Sequence, residues 1–323
     1  MNLMAVKKSR HIIIVPNKLL GLFLDSLTSH LDGEVFLVEV STTPLIKATK
    51  FPLKRFIHSS NLSKALQVRK AIKHVQKLVA GFDTSQIHYY VAHASHPLAN
   101  YLLFNAHGSF NLIPDGAMNF VEAKGWSGTW RNFLNARIFY LLSGFLYRKP
   151  YPDIYGSGVK RWNKRFVLSE KYSLLPKADE TIELKINSTF INSKLTVVLG
   201  QVIGDENFSL YVKHIEKIII KEKSFGRHIY FRPHPSSGIP DMLQEMLIRH
   251  EVNIDDSDGI VESNKLGFSR FVGITSTPLL TMKIIDPRNE AVMYPKNLWN
   301  LDSQVYTNWI SNFEKVGCEV IYL

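Results

Sequence analysis

The sequence predicts an α/β protein of two domains, each a parallel sheet flanked by helices. Three observations predict it. Short apolar runs alternate with longer amphipathic stretches, the pattern of repeated βα units. The alternation is interrupted once, between residues 148 and 193, and then restarts. The length, 323 residues, suits two domains of about 150 residues better than one.

In the first half, apolar runs predict strands over 12–16, 35–40, 88–92 and 110–114. Helical stretches are expected over 19–31, 64–80 and 97–104. A longer helix is expected over 129–147, where Phe133, Ile138, Leu141, Leu142, Phe145 and Leu146 recur at helical spacing. Residues 148–193 change character: Pro150, Pro152, Gly156, Gly158 and Pro176 break the pattern, and the short apolar run 166–168 stands alone. The domain crossover is therefore placed here, giving domains 1–170 and 171–323, with the last helix free to pack back on the first domain. In the second half, strands are expected over 195–199, 228–232, 252–254, 271–274 and 291–294. Helices are expected over 208–221, 241–249, 278–284 and 304–316.

Composition narrows the class. Hydrophobic residues make up 45% and charged residues 21%, so the chain can bury true cores. The net charge of +11 favours anionic partners: nucleic acid, anionic lipid, or phosphorylated and acidic substrates. The first domain is crowded with Lys47, Lys50, Lys54, Arg55, Lys64, Arg69, Lys70, Lys73 and Lys77. Attraction to an anionic membrane surface is one expectation, and a merely solvated basic face is the other. Interleaved aromatics on a basic strand face, a zinc pattern and a clear helix-turn-helix are all missing, which disfavours nucleic acid. Cys318 is the single cysteine, so the chain forms no internal disulfide and no cysteine zinc site. No apolar run reaches the eighteen or so residues of a spanning helix, the nearest being 138–147. The N-terminal run after Lys7, Lys8 and Arg10 is too short for a signal-peptide core. A cytoplasmic protein, peripheral on the inner face of the plasma membrane, is expected.

In open α/β sheets ligands bind beyond the carboxyl ends of the strands, so the informative residues should follow strands. Three groups do. Asp115 stands at the tip of the strand ending in Pro114, and Gly116 permits a sharp turn behind it. A carboxylate there can take a proton from a hydroxyl, or can simply close a turn. Arg232-Pro233-His234-Pro235 follows the next such strand. The prolines fix the backbone around His234, whose imidazole can donate to a phosphate leaving group. Arg232 can pair with phosphate or carboxylate oxygens. A histidine in a rigid surface turn is the alternative. The third group is Thr275-Ser276-Thr277-Pro278, where a helix begins. Its hydroxyls and free N–H groups suit either plain capping or an anion. Upstream, Glu262 can accept from ribose hydroxyls or remain an exposed carboxylate.

In this order the groups resemble the motifs of bacterial sialyltransferases: the polysialyltransferases and the family 52 and family 80 glycosyltransferases. Those enzymes share an acidic-acidic-Gly motif, a His-Pro motif and a Ser-Ser/Thr motif, matched here by Pro114-Asp115-Gly116, His234-Pro235 and Ser276-Thr277. The resemblance implies the GT-B fold: two Rossmann-like domains with a nucleotide-sugar cleft between them. It implies inverting, metal-independent transfer of sialic acid or a related nonulosonic acid from a CMP-activated donor to a surface glycan or glycolipid. Lipopolysaccharide, O-antigen and capsule are the acceptors it suggests, and no cofactor is implied. Asp115 would be the base, His234 the acid at the CMP phosphate, and Ser276 and Thr277 the phosphate ligands. Arg232, Pro235 and Thr275 would support that site, and Glu262 would hold the ribose. The sequence departs from the motif at Pro114, which replaces the first acidic residue. A CDP-glycerol-type phosphotransferase releasing CMP is the nearest rival. A non-catalytic basic membrane- or nucleic-acid-binding protein is the rival from another class.

Overall fold

The computed structural model describes residues 9–15, 21–40, 59–114, 137, 140–150, 155–156, 158, 162–185, 193–234, 238–257, 261 and 266–323. It consists of two compact units, Met1–Leu184 and Lys185–Leu323.

Unit 1 is built from β1 (Arg10–Val15), α1 (Gly21–Thr28), β2 (Glu34–Glu39), α2 (Ser59–Val79), β3 (Ile87–Val91), α3 (Pro97–Asn105), β4 (Ser109–Leu112), β5 (Lys164–Val167) and β6 (Glu180–Glu183). The strands form one sheet in the order β2-β1-β3-β4-β5-β6, every pair parallel. Ile12, Ile13 and Ile14 of β1 are all buried, as a strand covered on both faces requires. Val68, Ile72 and Val75 of α2 and Leu98, Leu102 and Leu103 of α3 join Ile12, Ile14 and Val91 in the core. Gly33, at φ +140°, leads into β2; a Cβ there would sit 2.2 Å from the Ser9 carbonyl oxygen.

β5 and β6 fall within the segment 148–193, where the sequence predicts the crossover and shows only the short apolar run 166–168. Lys164, Arg165, Glu180 and Glu183 break their apolar pattern. Arg165 is nevertheless buried, donating to Thr181 Oγ1 (2.8 Å), the Leu175 carbonyl (3.1 Å) and Glu170 (2.8 Å). A hydrogen-bonded guanidinium here does the work of an apolar side chain. Because β6 pairs with β5, the chain remains in the first sheet past residue 170, and the units divide at residue 184. Most of the helix expected over 129–147 lies outside the described residues. Its described end departs from the expectation: helix stops at Leu141, a turn follows, and Gly144 sits at φ +89°. Tyr140, Phe145 and Tyr147 are the buried hydrophobic residues there, while Leu141, Leu142 and Leu146 are exposed.

Unit 2 comprises β7 (Leu195–Leu199), α4 (Asp205–Lys223), β8 (His228–Arg232), α5 (Asp241–Arg249), β9 (Asn253–Ile254), β10 (Arg270–Gly273), α6 (Thr277–Ile285), β11 (Glu290–Met293), α7 (Ser303–Val316) and β12 (Glu319–Val320). Its parallel sheet has the order β12-β11-β10-β7-β8-β9. α4 places Tyr211, Val212, Ile215, Ile218 and Ile219 on one buried face. Asp205 and Glu206 open that helix and Lys221 and Lys223 close it, matching the helix dipole. α7 starts at the cap Asp302, ends at left-handed Gly317, and packs on α6 and β12 within unit 2.

At the amino end of this sheet lies a buried charge network. Arg270 donates to both carboxylate oxygens of Glu222 (2.7 and 3.0 Å) and to Glu290 (2.8 Å). Arg227 also donates to Glu290, and the Tyr294 hydroxyl donates to Glu222 at 2.7 Å. Glu222 is fully buried.

Both strand orders reverse direction once. In unit 1 the chain runs out to β2 and returns to add β3 on the other side of β1. In unit 2 it runs out through β8 to β9 and returns to add β10 beside β7. Such switch points open a crevice at the carboxyl ends of the strands, the usual ligand position in open α/β sheets.

Candidate functional site

In unit 2 the switch point lies between the ends of β7 and β10. Gly200 and Gln201 leave β7; Ile274, Thr275 and Ser276 leave β10. With its amide oriented to satisfy its neighbours, Gln201 Oε1 accepts from Thr275 N (3.1 Å), Thr275 Oγ1 (3.2 Å) and Ser276 N (3.1 Å). Its own backbone N–H donates to the Tyr211 hydroxyl at 3.1 Å. Three donors thus converge on one oxygen across the crevice.

Ser276 is the N-cap of α6, with Thr277 and Pro278 in the first turn. The Ser276 hydroxyl makes no capping bond, and no carboxylate stands in that turn. The other described helices of unit 2 each bring an acid to their start: Asp205 and Glu206 in α4, Asp241 in α5, and the cap Asp302 in α7. Those acids already offset the positive helix end, whereas α6 leaves it to the Gln201 carboxamide and whatever else enters the crevice.

The third wall comes from β8. The Gly200 N–H donates to the Arg232 carbonyl at 2.8 Å. A Cβ on Gly200 would meet that oxygen at 2.9 Å and the His234 nitrogen at 3.1 Å, so glycine is what lets the two loops touch. His234 is half-buried at this junction, and burial holds its imidazole below the ordinary value of 6.5. Burial therefore favours the neutral imidazole at pH 7.

Arg232 is anchored within unit 2. Its guanidinium donates to Asp255 (2.6 Å), Ser257 Oγ (2.5 Å) and the Ser257 carbonyl (2.9 Å). Burial disfavours the Asp255 anion, but hydrogen bonds from Ser257 and Arg232, with the guanidinium charge, hold its carboxyl below the usual range. These three bonds draw on three of the five guanidinium N–H donors. What Arg232 does is tie the end of β8 to the loop after β9. The structure therefore groups His234, Thr275, Ser276 and Thr277 around one sheet edge. Asp115, Pro235 and Glu262 lie outside the described residues.

Unit 1 holds an arrangement that the motifs did not flag. At its own switch point β3 ends in Ala92-His93-Ala94-Ser95-His96, leading into α3. His93 Nδ1 and Ser95 Oγ lie 2.5 Å apart, both partly exposed. The loop beneath them is fixed from several sides. Fully buried Asn100 donates to the carbonyls of Ala94 (3.0 Å) and Arg148 (2.7 Å), and accepts from the Arg148 N–H (3.0 Å). The Tyr147 hydroxyl donates to the Ser95 carbonyl at 3.1 Å. His96 is buried and caps α3. The Ile113 N–H donates to the Val91 carbonyl, so the strand that leads to Asp115 runs directly beside this loop. A signal was present: His96-Pro97 follows an apolar strand just as His234-Pro235 does.

Burial pushes the His96 imidazole down to about 3, with the neighbouring His93 adding to the effect and a bond to the Val40 carbonyl opposing it. A folded-state value below the unfolded one means that His96 contributes its stability fully above about pH 6.5. That stability is lost as pH falls from there towards 3. The expected loss is on the order of 4 kcal/mol. His96→Asn, which retains a capping side chain, should flatten the decline of Tm over this window. Equal pH slopes for the two proteins would refute it.

Among the described residues no group of three His, Cys, Asp or Glu side chains could hold a metal ion. Likewise none of the described helices is long and apolar enough to cross a membrane.

No protein-family model and no curated protein sequence matches the chain. Solved structures do. The chain is similar to an α/β-galactoside α-2,3-sialyltransferase from the luminous marine bacterium Photobacterium phosphoreum, with a TM-score of 0.55 and 10% identity over 96% of this chain and 97% of that one. It also matches a UDP-GlcNAc 2-epimerase from Neisseria meningitidis bound to UDP-GlcNAc, with a TM-score of 0.47 and 10% identity over 96% and 94% of the two chains. At such identities the likeness is one of fold, and the fold carried by the two parallel-sheet units is GT-B.

Proposed function

We propose that the chain is an inverting, metal-independent glycosyltransferase that moves sialic acid or a related nonulosonic acid from a CMP-activated donor to a glycan. The acceptor is proposed to be a surface glycan or glycolipid carried at the inner face of the plasma membrane. One observation carries the reading: the loops after β7, β8 and β10 set the Thr275 and Ser276 donors and His234 around one sheet edge at a switch point.

A phosphate oxygen entering the crevice suits the donors that Gln201 now occupies. Transfer breaks the bond between the anomeric carbon and the phosphate oxygen, and the electron pair stays on that oxygen. Charge therefore grows where the N–H groups at the start of α6 already point, and preorganised donors stabilise it with little reorganisation. An anionic phosphate beside His234 raises its pKa, so the imidazole gains or shares a proton as the donor binds and returns it to the departing oxygen. The acceptor hydroxyl forms the new bond to the anomeric carbon, and its proton passes to Asp115. His93 and Ser95, at the matching edge of unit 1, suit the hydroxyls of the acceptor sugar. Glu262 is proposed to take the ribose.

A donor screen tests this reading. CMP release from CMP-activated nonulosonic acids, but not from CDP-glycerol or UDP-sugars, is the expected pattern. Turnover of CDP-glycerol with CMP-sialic acid untouched would transfer the site to phosphotransfer. No turnover of any CMP- or CDP-linked donor would leave a non-catalytic protein.

A further inference from the structure

α2 sits on unit 1 by a face that buries Ala65, Val68, Ile72 and Val75. The opposite face is exposed and carries Arg69, Lys70, Lys73 and Lys77. At 3.6 residues per turn these four cations fall within an arc of about 100°. Leu66, 45% exposed, projects from the middle of that arc. The helix has no Asp or Glu anywhere in its 21 residues, and neither has α3, which packs against it. Among the described residues none of the four cations is engaged in an ion pair. The described residues give this stripe no counter-charge, although a soluble helix gains from acids spaced three or four residues from its lysines.

We propose that the outer face of α2 docks the protein on an anionic lipid surface. The four cations are exposed along successive turns of one helix. Each Lys or Arg held near an anionic surface multiplies binding by about fivefold. Leu66 supplies one apolar contact at headgroup depth. The buried face keeps α2 on its own core, so the helix lies against the membrane without inserting. Nucleic acid fits less well, because α2 contains no Phe, Tyr or Trp on which a base could stack. This surface is independent of the transfer chemistry.

Vesicle co-sedimentation of the full chain tests it. Binding is expected to vesicles of phosphatidylcholine with about 30% phosphatidylglycerol, and not to phosphatidylcholine alone. It should fall steeply between roughly 0.05 and 0.5 M salt. Lys70→Glu/Lys73→Glu, which removes two attracted charges and adds two repelled ones, is expected to weaken binding by about 600-fold. The neutral pair Lys70→Gln/Lys73→Gln, milder on the fold, should lose roughly half as much on a logarithmic scale. Lys213→Glu/Lys217→Glu, two exposed positions on α4 with the same change in net charge, should stay within about threefold of wild type. Equal losses from the α2 and α4 pairs would show that bulk charge, not this face, does the binding. Binding to neutral vesicles, or tighter binding to an RNA homopolymer lost in the same α2 variants, would overturn the lipid assignment.

Discussion

His234→Ala is expected to lower the rate of CMP release by about 100-fold or more while leaving Tm within a few degrees of wild type. His234 follows β8 beside the Gly200 turn, half-buried in a loop whose backbone is held independently by the bond from Gly200 to Arg232. Removing the imidazole should therefore spare the fold and remove the donor to the departing phosphate. The pH profile separates this role from mere packing. Burial lowers the pKa of free His234 below 6.5, so kcat/KM should fall as pH rises through a value under 6.5. A bound phosphate raises that pKa, so kcat should hold to higher pH. An alkaline limb that is unchanged in His234→Ala would assign the proton to another group. Asp115→Ala provides the contrast. It is expected to abolish transfer to the sugar acceptor by a similar factor, because the acceptor proton loses its destination. Near-normal transfer by the purified variant would remove Asp115 as the base.

Glu222→Ala is expected to destabilise unit 2 by about 3–5 kcal/mol. The carboxylate is fully buried and accepts twice from Arg270 and once from Tyr294. Its removal leaves a guanidinium that is itself 7% exposed with Glu290 at 2.8 Å and the more distant Glu319 at 3.8 Å as remaining partners, and a buried hydroxyl with its bond to Glu222 lost. Breaking one side of a buried pair costs far more than the pair contributes net, because the remaining charge is desolvated without compensation. Glu222→Gln keeps the shape and one acceptor, and should lose clearly less. Thermal unfolding of the two variants checks this. Alanine and glutamine variants both within about 1 kcal/mol of wild type would mean that water reaches Arg270.

The same network shows why some of the fold was legible in the sequence and some was not. Strands whose residues are apolar on both faces, such as Ile12-Ile13-Ile14 and Val197-Val198-Leu199, stand out because a central parallel strand has no exposed face. β5 and β6 do not, since Arg165 and the flanking glutamates satisfy one another with hydrogen bonds that composition does not reveal. β12, two residues long, has too little pattern to see.

At the site, the loops after β8 and β10 were readable from their order: apolar strand, then proline-framed histidine or a hydroxyl cluster. The fate of Arg232 was not, because nothing local says that Asp255 and Ser257, more than twenty residues on, return to claim it. Gln201 carries no motif, and its importance comes from the strand order that brings β7 beside β10. The His93–Ser95 loop was written in residues no stranger than those of the loop after β8. Its standing comes from Asn100 and Tyr147, whose bonds to it are tertiary.

The most direct measurement is CMP release by the purified protein from CMP-sialic acid, with and without a glycan acceptor, alongside His234→Ala. Release is expected to rise when the acceptor is added and to collapse in the variant. Release equal in wild type and His234→Ala, or none from any CMP-activated nine-carbon acid, would contradict it.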